Sequence, residues 1–198
     1  MTSSITRITD TPTTRRGLLR VGGQATLSAA AIALLAGCET MATSHQATAA
    51  APADAANDVA ILNTALGLEY QAIAAYQVGA ESKLLKKPVL DLAVQFQGDH
   101  KKHAEVLSST IAKLGGTAVM PKNDYGFPVA TLKTQADVLR FAANLEQGAA
   151  SAYLGAVPVF MNKDLAKAAA SILGDETMHW AILRNALGEN PVPAAFIA

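Results

Sequence analysis

Cysteine is almost missing from this chain, and the one thiol, Cys38, rules out an internal disulfide or a cysteine-rich metal site. Aromatic residues are scarce at 5%, and the long segments rich in alanine contain little proline, which disfavours strands and favours closely packed helices. A basic patch is also lacking: the formal charge is zero, so a nucleic-acid partner is excluded. No apolar run is long enough to make a good membrane span, because Val21 to Gly37 is interrupted by Gly22, Gly23, Gln24, Thr26 and Ser28. What remains, 198 residues that are 51% hydrophobic and 16% charged, suffices for one globular core with length left over at the amino end. The expected fold class is all-α.

The amino end reads as an address. Arg15 and Arg16 form a twin arginine followed by Gly17-Leu18-Leu19-Arg20 and a moderately apolar, alanine-rich run, which resembles a Tat export signal. Leu35-Ala36-Gly37-Cys38 resembles a bacterial lipoprotein box, placed where cleavage of such a signal would fall. On that reading residues 1–37 are a signal peptide, Cys38 is lipidated, and 38–56 is a flexible tether rich in Ala, Thr, Ser and Pro. The expected location is then the bacterial cell envelope, facing the periplasm and held to a membrane through the lipid on Cys38. The competing readings are an amphipathic amino-terminal helix and a lone buried or reactive thiol.

Four apolar stripes at helical spacing follow. From Asn57 to about Ser82 the stripe is Leu62, Leu66, Glu69, Ile73 and Tyr76; from about Lys87 to Leu114 it is Val89, Ala93, Phe96, His100, His103, Leu107 and Ile111. From about Gln135 to Phe160 it runs through Leu139, Ala142, Glu146, Ala149 and Tyr153, and from about Lys163 to Leu187 through Leu165, Ala168, Ile172, Glu176, His179 and Leu183. Gly115-Gly116 and Gly188 close two of the helices. Between them Gly116 to Thr134, with Pro121, Asn123, Asp124, Gly126 and Pro128, reads as a crossover. The bundle domain is placed at 57–188, with 189–198 as an apolar tail.

The four stripes are one hairpin written twice. Glu69 and Tyr76 recur 77 positions later as Glu146 and Tyr153, and Gly98-Asp99, His103 and Leu107 recur 76 positions later as Gly174-Asp175, His179 and Leu183. Two such hairpins joined by a crossover make a four-helix bundle with approximate two-fold symmetry, and the inward polar residues meet at one level. Buried carboxylates at one level need a compensating positive charge, and the inward stripes offer no Lys or Arg. A pair of divalent cations meets that need, and oxygen with imidazole suits iron or manganese, zinc being a third choice.

This pattern resembles the ferritin-like superfamily, whose di-metal bundles carry a Glu on each of two helices and Glu-x-x-His on each of the other two. The resemblance implies that Glu69 and Glu146 are the single glutamates, that Glu176 and His179 form one complete motif, and that His103 is the histidine of the other. His100 stands where the pattern has a glutamate, so the resemblance leaves open two ions or one. It further implies Asp175 and Asp99 as hydrogen-bond partners of His103 and His179 respectively. Tyr76 and Tyr153, two turns along from the glutamates, read as core aromatics hydrogen-bonding a ligand, the other reading being redox-active groups. Activity would be that of an oxidoreductase acting on dioxygen or peroxide, with electrons from an external donor or the substrate, or else iron oxidation and sequestration. A non-catalytic bundle, serving as an envelope interaction module or a metal sensor, is the other class. Taken one at a time, these residues are more often surface glutamates or core histidines.

Overall fold

The computed structural model describes residues 52–197. The readings at Arg15, Arg16 and Cys38, and most of the tether, lie outside the described residues. Four α-helices carry the fold: α1 Pro52–Glu81, α2 Lys87–Lys113, α3 Gln135–Ala156 and α4 Lys163–Ala186. Among the described residues there is no strand, and no helix is long and apolar enough to cross a membrane. The architecture is all-α, a four-helix bundle of two hairpins, α1–α2 and α3–α4, joined by a crossover containing a single 3-10 turn at Val129–Thr131.

Local chemistry sets the helix ends. Pro88 falls in the first turn of α2, where its missing N–H would have had no intrahelical acceptor. Gly115 (φ 78°) and Gly188 (φ 75°) adopt the left-handed conformation that only glycine takes cheaply. Gly116 N–H then reaches Ile111 O and Glu189 N–H reaches Arg184 O, each at 2.9 Å, closing α2 and α4 with the same paired-bond cap. At the start of α3, Thr134 and Asp137 cap each other's backbone reciprocally. Two boundaries differ from the sequence reading. Helix α1 begins at Pro52, inside the segment read as tether, and α3 stops at Ala156, because Pro158 supplies no N–H and the chain tightens into a 3-10 turn at Val157–Val159.

Contacts at the bundle ends fix how the hairpins sit. The start of α1 meets the end of α3 and the start of α4: Asn57 donates to Val159 O, and Asp58, only 1% exposed, accepts the backbone N–H groups of Met161 (2.8 Å) and Asn162 (2.9 Å). At the opposite end the turn between α1 and α2 meets the start of α3, Lys86 N–H donating to Gln135 Oε1 at 2.8 Å. Helices α1 and α3 therefore run antiparallel.

The core is divided in two. Leu62, Leu66, Leu107, Ile111, Tyr153, Phe160, Leu165 and Ile172 fill one end of the bundle, and Tyr76, Ala93, Phe96, Leu139, Ala143 and Leu183 fill the other. On every helix the polar position of the stripe falls between its two sets of apolar residues. The apolar ends shield that level from water while the hydrophobic burial on either side, about 1.5–3 kcal/mol for each large side chain, holds the helices together around it.

Candidate metal centre

Glu69 (α1), His100 (α2), Glu146 (α3), Glu176 and His179 (α4) are each 2% exposed or less, which forces their charges to be matched by one another or by an ion. His103 is close beside them with its side chain 16% exposed. All six residues singled out as ligands converge at one level. Their ligand-type atoms form two groups, Glu69, His100, His103 and Glu176 on one side and His100, Glu146, Glu176 and His179 on the other, and within each group these atoms lie no more than 4.8 Å apart. His100 and Glu176 belong to both.

His100 is the centrepiece. Its Nδ1 lies 2.8 Å from Glu69 Oε2 and 3.7 Å from Glu176 Oε1, and its Nε2 lies 3.2 Å from Glu146 Oε1. His103 Nδ1 is 3.2 Å from Glu176 Oε1 and 3.5 Å from Glu69 Oε2. His179 Nδ1 is 3.5 Å from Glu146 Oε1 and 3.9 Å from Glu176 Oε2. Phe96 stacks on the His179 ring at 3.9 Å between centroids, fixing its plane.

Both outer histidines turn Nδ1 inward and Nε2 outward. His103 Nε2 is 3.3 Å from Asp175 Oδ2, and His179 Nε2 is 3.5 Å from the same oxygen and 3.8 Å from Asp99 Oδ2. Asp175 thus reaches across to the other hairpin, while Asp99 stays farther from His179 and pairs with Lys102 at 2.9 Å. A carboxylate on the outer nitrogen fixes the ring's orientation and leaves the inner nitrogen free to act as a ligand.

The two tyrosines cross between hairpins. Tyr76 on α1 donates its hydroxyl to Glu146 Oε1 on α3, and Tyr153 on α3 donates to Glu69 Oε1 on α1 at 2.5 Å. Each stands two turns beyond its own glutamate, and because helical side chains lean toward the N-terminus, the phenol returns to the polar level. Burial and the adjoining carboxylates push both phenols well above the usual tyrosine range, so they remain donors. An apolar groove of about 220 Å3, walled by Ile61, Leu68, Ala152 and Val159, runs down to Tyr153.

The protein groups alone set an uneven charge pattern. Burial pushes Glu176 up to about 8, with Glu146 and Glu69 adding to it and the histidines opposing. Burial works against charge on His100, but hydrogen bonds to Glu146 and Glu69 outweigh it and raise the ring to about 11. Burial likewise opposes charge on His103, and Glu176 and Glu69 raise it to about 9. Glu69 and Glu146 are held below the ordinary carboxylate range, burial notwithstanding, by the hydrogen-bonded His100 ring and by the nearby imidazoles of His103 and His179 respectively.

Even so, five buried atoms find no hydrogen-bond partner: His103 Nδ1, His179 Nδ1, Glu146 Oε2 and both carboxylate oxygens of Glu176. Orphaned polar atoms of this kind cost about 1–3 kcal/mol each, and all five belong to the converging set. Oxygen and imidazole donors aimed at a shared centre, backed by Asp175 and Asp99, fit a divalent transition metal.

Sequence reasoning overlooked Asp58, which no stripe or motif marked. The signal was the repeat itself: Asp58 precedes Gln135 by the same 77 positions that separate Glu69 from Glu146, and each holds the other hairpin's turn.

Residues 57–189 match the ferritin-like domain family, and the chain belongs to that family. No curated protein matches it. Among solved structures, a conserved hypothetical protein, rv2844, from Mycobacterium tuberculosis is similar with a TM-score of 0.63 and 24% identity, over 72% of this chain and 99% of that one. A structure of ferritin like, diiron-carboxylate proteins from Bacillus anthracis str. Ames is similar with a TM-score of 0.57 and 24% identity, over 68% of this chain and 97% of that one. At these identities the structural likeness speaks to fold.

Proposed function

We propose that this bundle is a di-metal protein of iron or manganese type that acts on dioxygen or peroxide, or oxidises and sequesters iron, at the bacterial cell envelope. The observation that carries the reading is the set of five orphaned atoms on His103, His179, Glu146 and Glu176. Glu69, His103 and one oxygen of Glu176 would hold one ion, Glu146, His179 and the other oxygen of Glu176 the second, with His100 between them. Bound there, the ions supply Lewis-acid and one-electron redox chemistry. The chain's own residues orient them: Asp175 and Asp99 set the histidine rings, and Tyr76 and Tyr153 hold the two single glutamates by one oxygen each. The apolar clusters at either end exclude water, and the groove to Tyr153 suits a small oxidant. The diiron-carboxylate description of the similar Bacillus anthracis proteins agrees with this reading.

Export by a Tat-type signal through Arg15 and Arg16, and anchoring through lipid on Cys38, complete it. As a class that route passes folded proteins, so ions loaded before export would travel inside the fold. The anchoring part is tested by fractionation, with Cys38→Ala expected to move the protein from the membrane to the soluble fraction. The metal part is tested by elemental analysis of chain purified without chelator, beside His179→Ala. About two iron or manganese per chain, lost in the variant and accompanied by peroxide consumption, is the expected result. No metal after anaerobic loading with ferrous iron overturns it.

A second reading, a bundle without turnover that serves as an interaction module or sensor, draws on one observation. His100 already joins Glu69 and Glu146 by direct contact, so part of the carboxylate charge is matched within the protein. Metal bound at full stoichiometry with no reaction toward peroxide would favour it.

A further inference from the structure

We propose that His100 is a two-sided ligand, Nδ1 serving the ion position of Glu69, His103 and Glu176 and Nε2 serving that of Glu146, His179 and Glu176, so that one imidazole ring stands between two ions. This rests on the di-metal reading above and deepens it, because it assigns the residue that departs from the Glu-x-x-His pattern a role of its own.

The argument is geometric. Donors bound to one ion at about 2.0–2.1 Å lie roughly 2.9–3.4 Å apart in right-angled or tetrahedral arrangements. On the Nδ1 side of His100 the spacings are 2.8 Å to Glu69 Oε2 and 3.7 Å to Glu176 Oε1, with His103 Nδ1 3.5 Å and 3.2 Å from those same oxygens. These four atoms surround one position, and the two wider spacings, 3.7 Å and 3.5 Å, exceed the bound range by only a few tenths of an ångström, within the reach of small side-chain shifts. On the Nε2 side, Glu146 Oε1 is 3.2 Å from the ring nitrogen and 3.5 Å from His179 Nδ1, which is 3.9 Å from Glu176 Oε2. They surround a second position, more loosely, with the His179 to Glu176 spacing the widest. The two nitrogens of His100 serve different shells, as do the two oxygens of Glu176, and the ring is 1% exposed, so neither nitrogen has water as its alternative partner.

A glutamate at position 100 would set a second short carboxylate beside that of Glu176 between the ions, and two such bridges together draw them in, toward the roughly 3.5–4 Å of two-metal sites. An imidazole holds them apart. Two metal–nitrogen bonds of about 2.0–2.1 Å leaving opposite edges of one ring set a separation of roughly 6 Å. Held between the carboxylates of Glu69 and Glu146, the metal-free ring carries an N–H on each nitrogen, so binding on both sides forms two metal–nitrogen bonds, breaks both N–H bonds and passes two protons to solvent.

The test uses zinc, which has no redox chemistry, bound to the full chain. Elemental analysis gives the number of ions, and anomalous scattering at the zinc edge from crystals gives their separation. Two ions about 6 Å apart with the His100 ring between them are expected, contracting to about 4 Å in His100→Glu. Two ions already within about 4 Å in the unaltered chain, or a single ion held on one side of the ring, overturn the two-sided assignment and leave the metal reading standing. An unchanged separation in His100→Glu also overturns it. No bound zinc removes both. Should His100→Glu fail to fold by circular dichroism, the separation in the unaltered chain decides alone.

Discussion

The two hairpins share a backbone plan and differ in what they place on it. At the bundle ends the plan is obeyed twice: Asp58 at the start of α1 holds the backbone N–H of Asn162, and Gln135, its counterpart at the start of α3, holds the backbone N–H of Lys86, the counterpart of Asn162. At the polar level it is obeyed by Glu69 with Glu146, by Tyr76 with Tyr153 and by His103 with His179, and it is broken once, where His100 faces Glu176. Geometry is held in common, then, while charge is not. The α1–α2 hairpin brings one carboxylate and two imidazoles, and the α3–α4 hairpin brings two carboxylates and one imidazole.

The sharpest way to probe that imbalance is to remove the residue on the carboxylate-rich side. Metal bound only to the folded chain at about a hundred times its dissociation constant adds about 2.7 kcal/mol, or roughly 5–10 °C in melting temperature for a domain of this size. Glu176→Ala, which takes a donor from both ion positions, is expected to abolish the difference in melting temperature between loaded and chelated protein. A retained difference would mean that the two hairpins contribute independently.

The end contacts should come next. Asp58→Ala takes the acceptor from two part-buried backbone N–H groups, a cost of about 2–4 kcal/mol in urea unfolding. Gln135→Ala, whose bond is exposed, should cost under about 1 kcal/mol. Equal losses would show that burial does not separate the two ends. Tyr76→Phe and Tyr153→Phe each strip a donor from a buried carboxylate, so about 1–3 kcal/mol is expected from each in chelated protein. Unequal values would break the two-fold correspondence at the tyrosines.

The effect of pH is spread over several units and changes least with any single step. In chelated protein the folded-state pKa of His103 is raised to about 9 from an ordinary 6.5, so its contribution is complete below about pH 6.5 and is lost as pH rises through 9. Glu176, raised to about 8, acts with the same sign from about pH 4.5 upward. Glu69 and Glu146, held low, contribute above the ordinary carboxylate range and lose that contribution only in acid. His100, raised to about 11, acts with the same sign, so stability by urea unfolding should fall as pH rises above about 6.5, by up to about 1.4 kcal/mol per unit for each proton, and His103→Gln should flatten the slope below about pH 9. Metal affinity should move the other way, rising with pH as ions displace protons.

Much of the fold was legible because periodicity and burial express the same physics. Leu62, Leu66, Glu69 and Tyr76 recur at helical spacing since one face of α1 must be covered, and the structure covers it. The crossover was legible from its prolines and glycines. The helix ends were less so: the start of α1 at Pro52 falls in alanine-rich sequence that reads as tether, and the stop of α3 at Ala156 turns on Pro158, one residue inside an otherwise helical pattern. At the polar level, stripe position identified six inward residues, whereas their division into two sets around His100 depends on which ring nitrogen faces which oxygen. Spacing along one helix does not encode that. Asp58 escaped because its acceptors' partners are backbone groups a hundred residues away in sequence.

The crossing of tyrosines and ligands between hairpins has a consequence for ancestry. Each candidate ion position takes three residues from one hairpin and a fourth from the other, which is the arrangement two identical subunits make about a two-fold axis. In such a homodimer the residues at His100 and Glu176 would be encoded by a single codon and would have to be the same. Only after two copies are joined in one polypeptide can one half substitute imidazole while the other keeps its carboxylate. The covalent crossover between α2 and α3 is thus what makes an unsymmetrical centre available to a symmetrical fold.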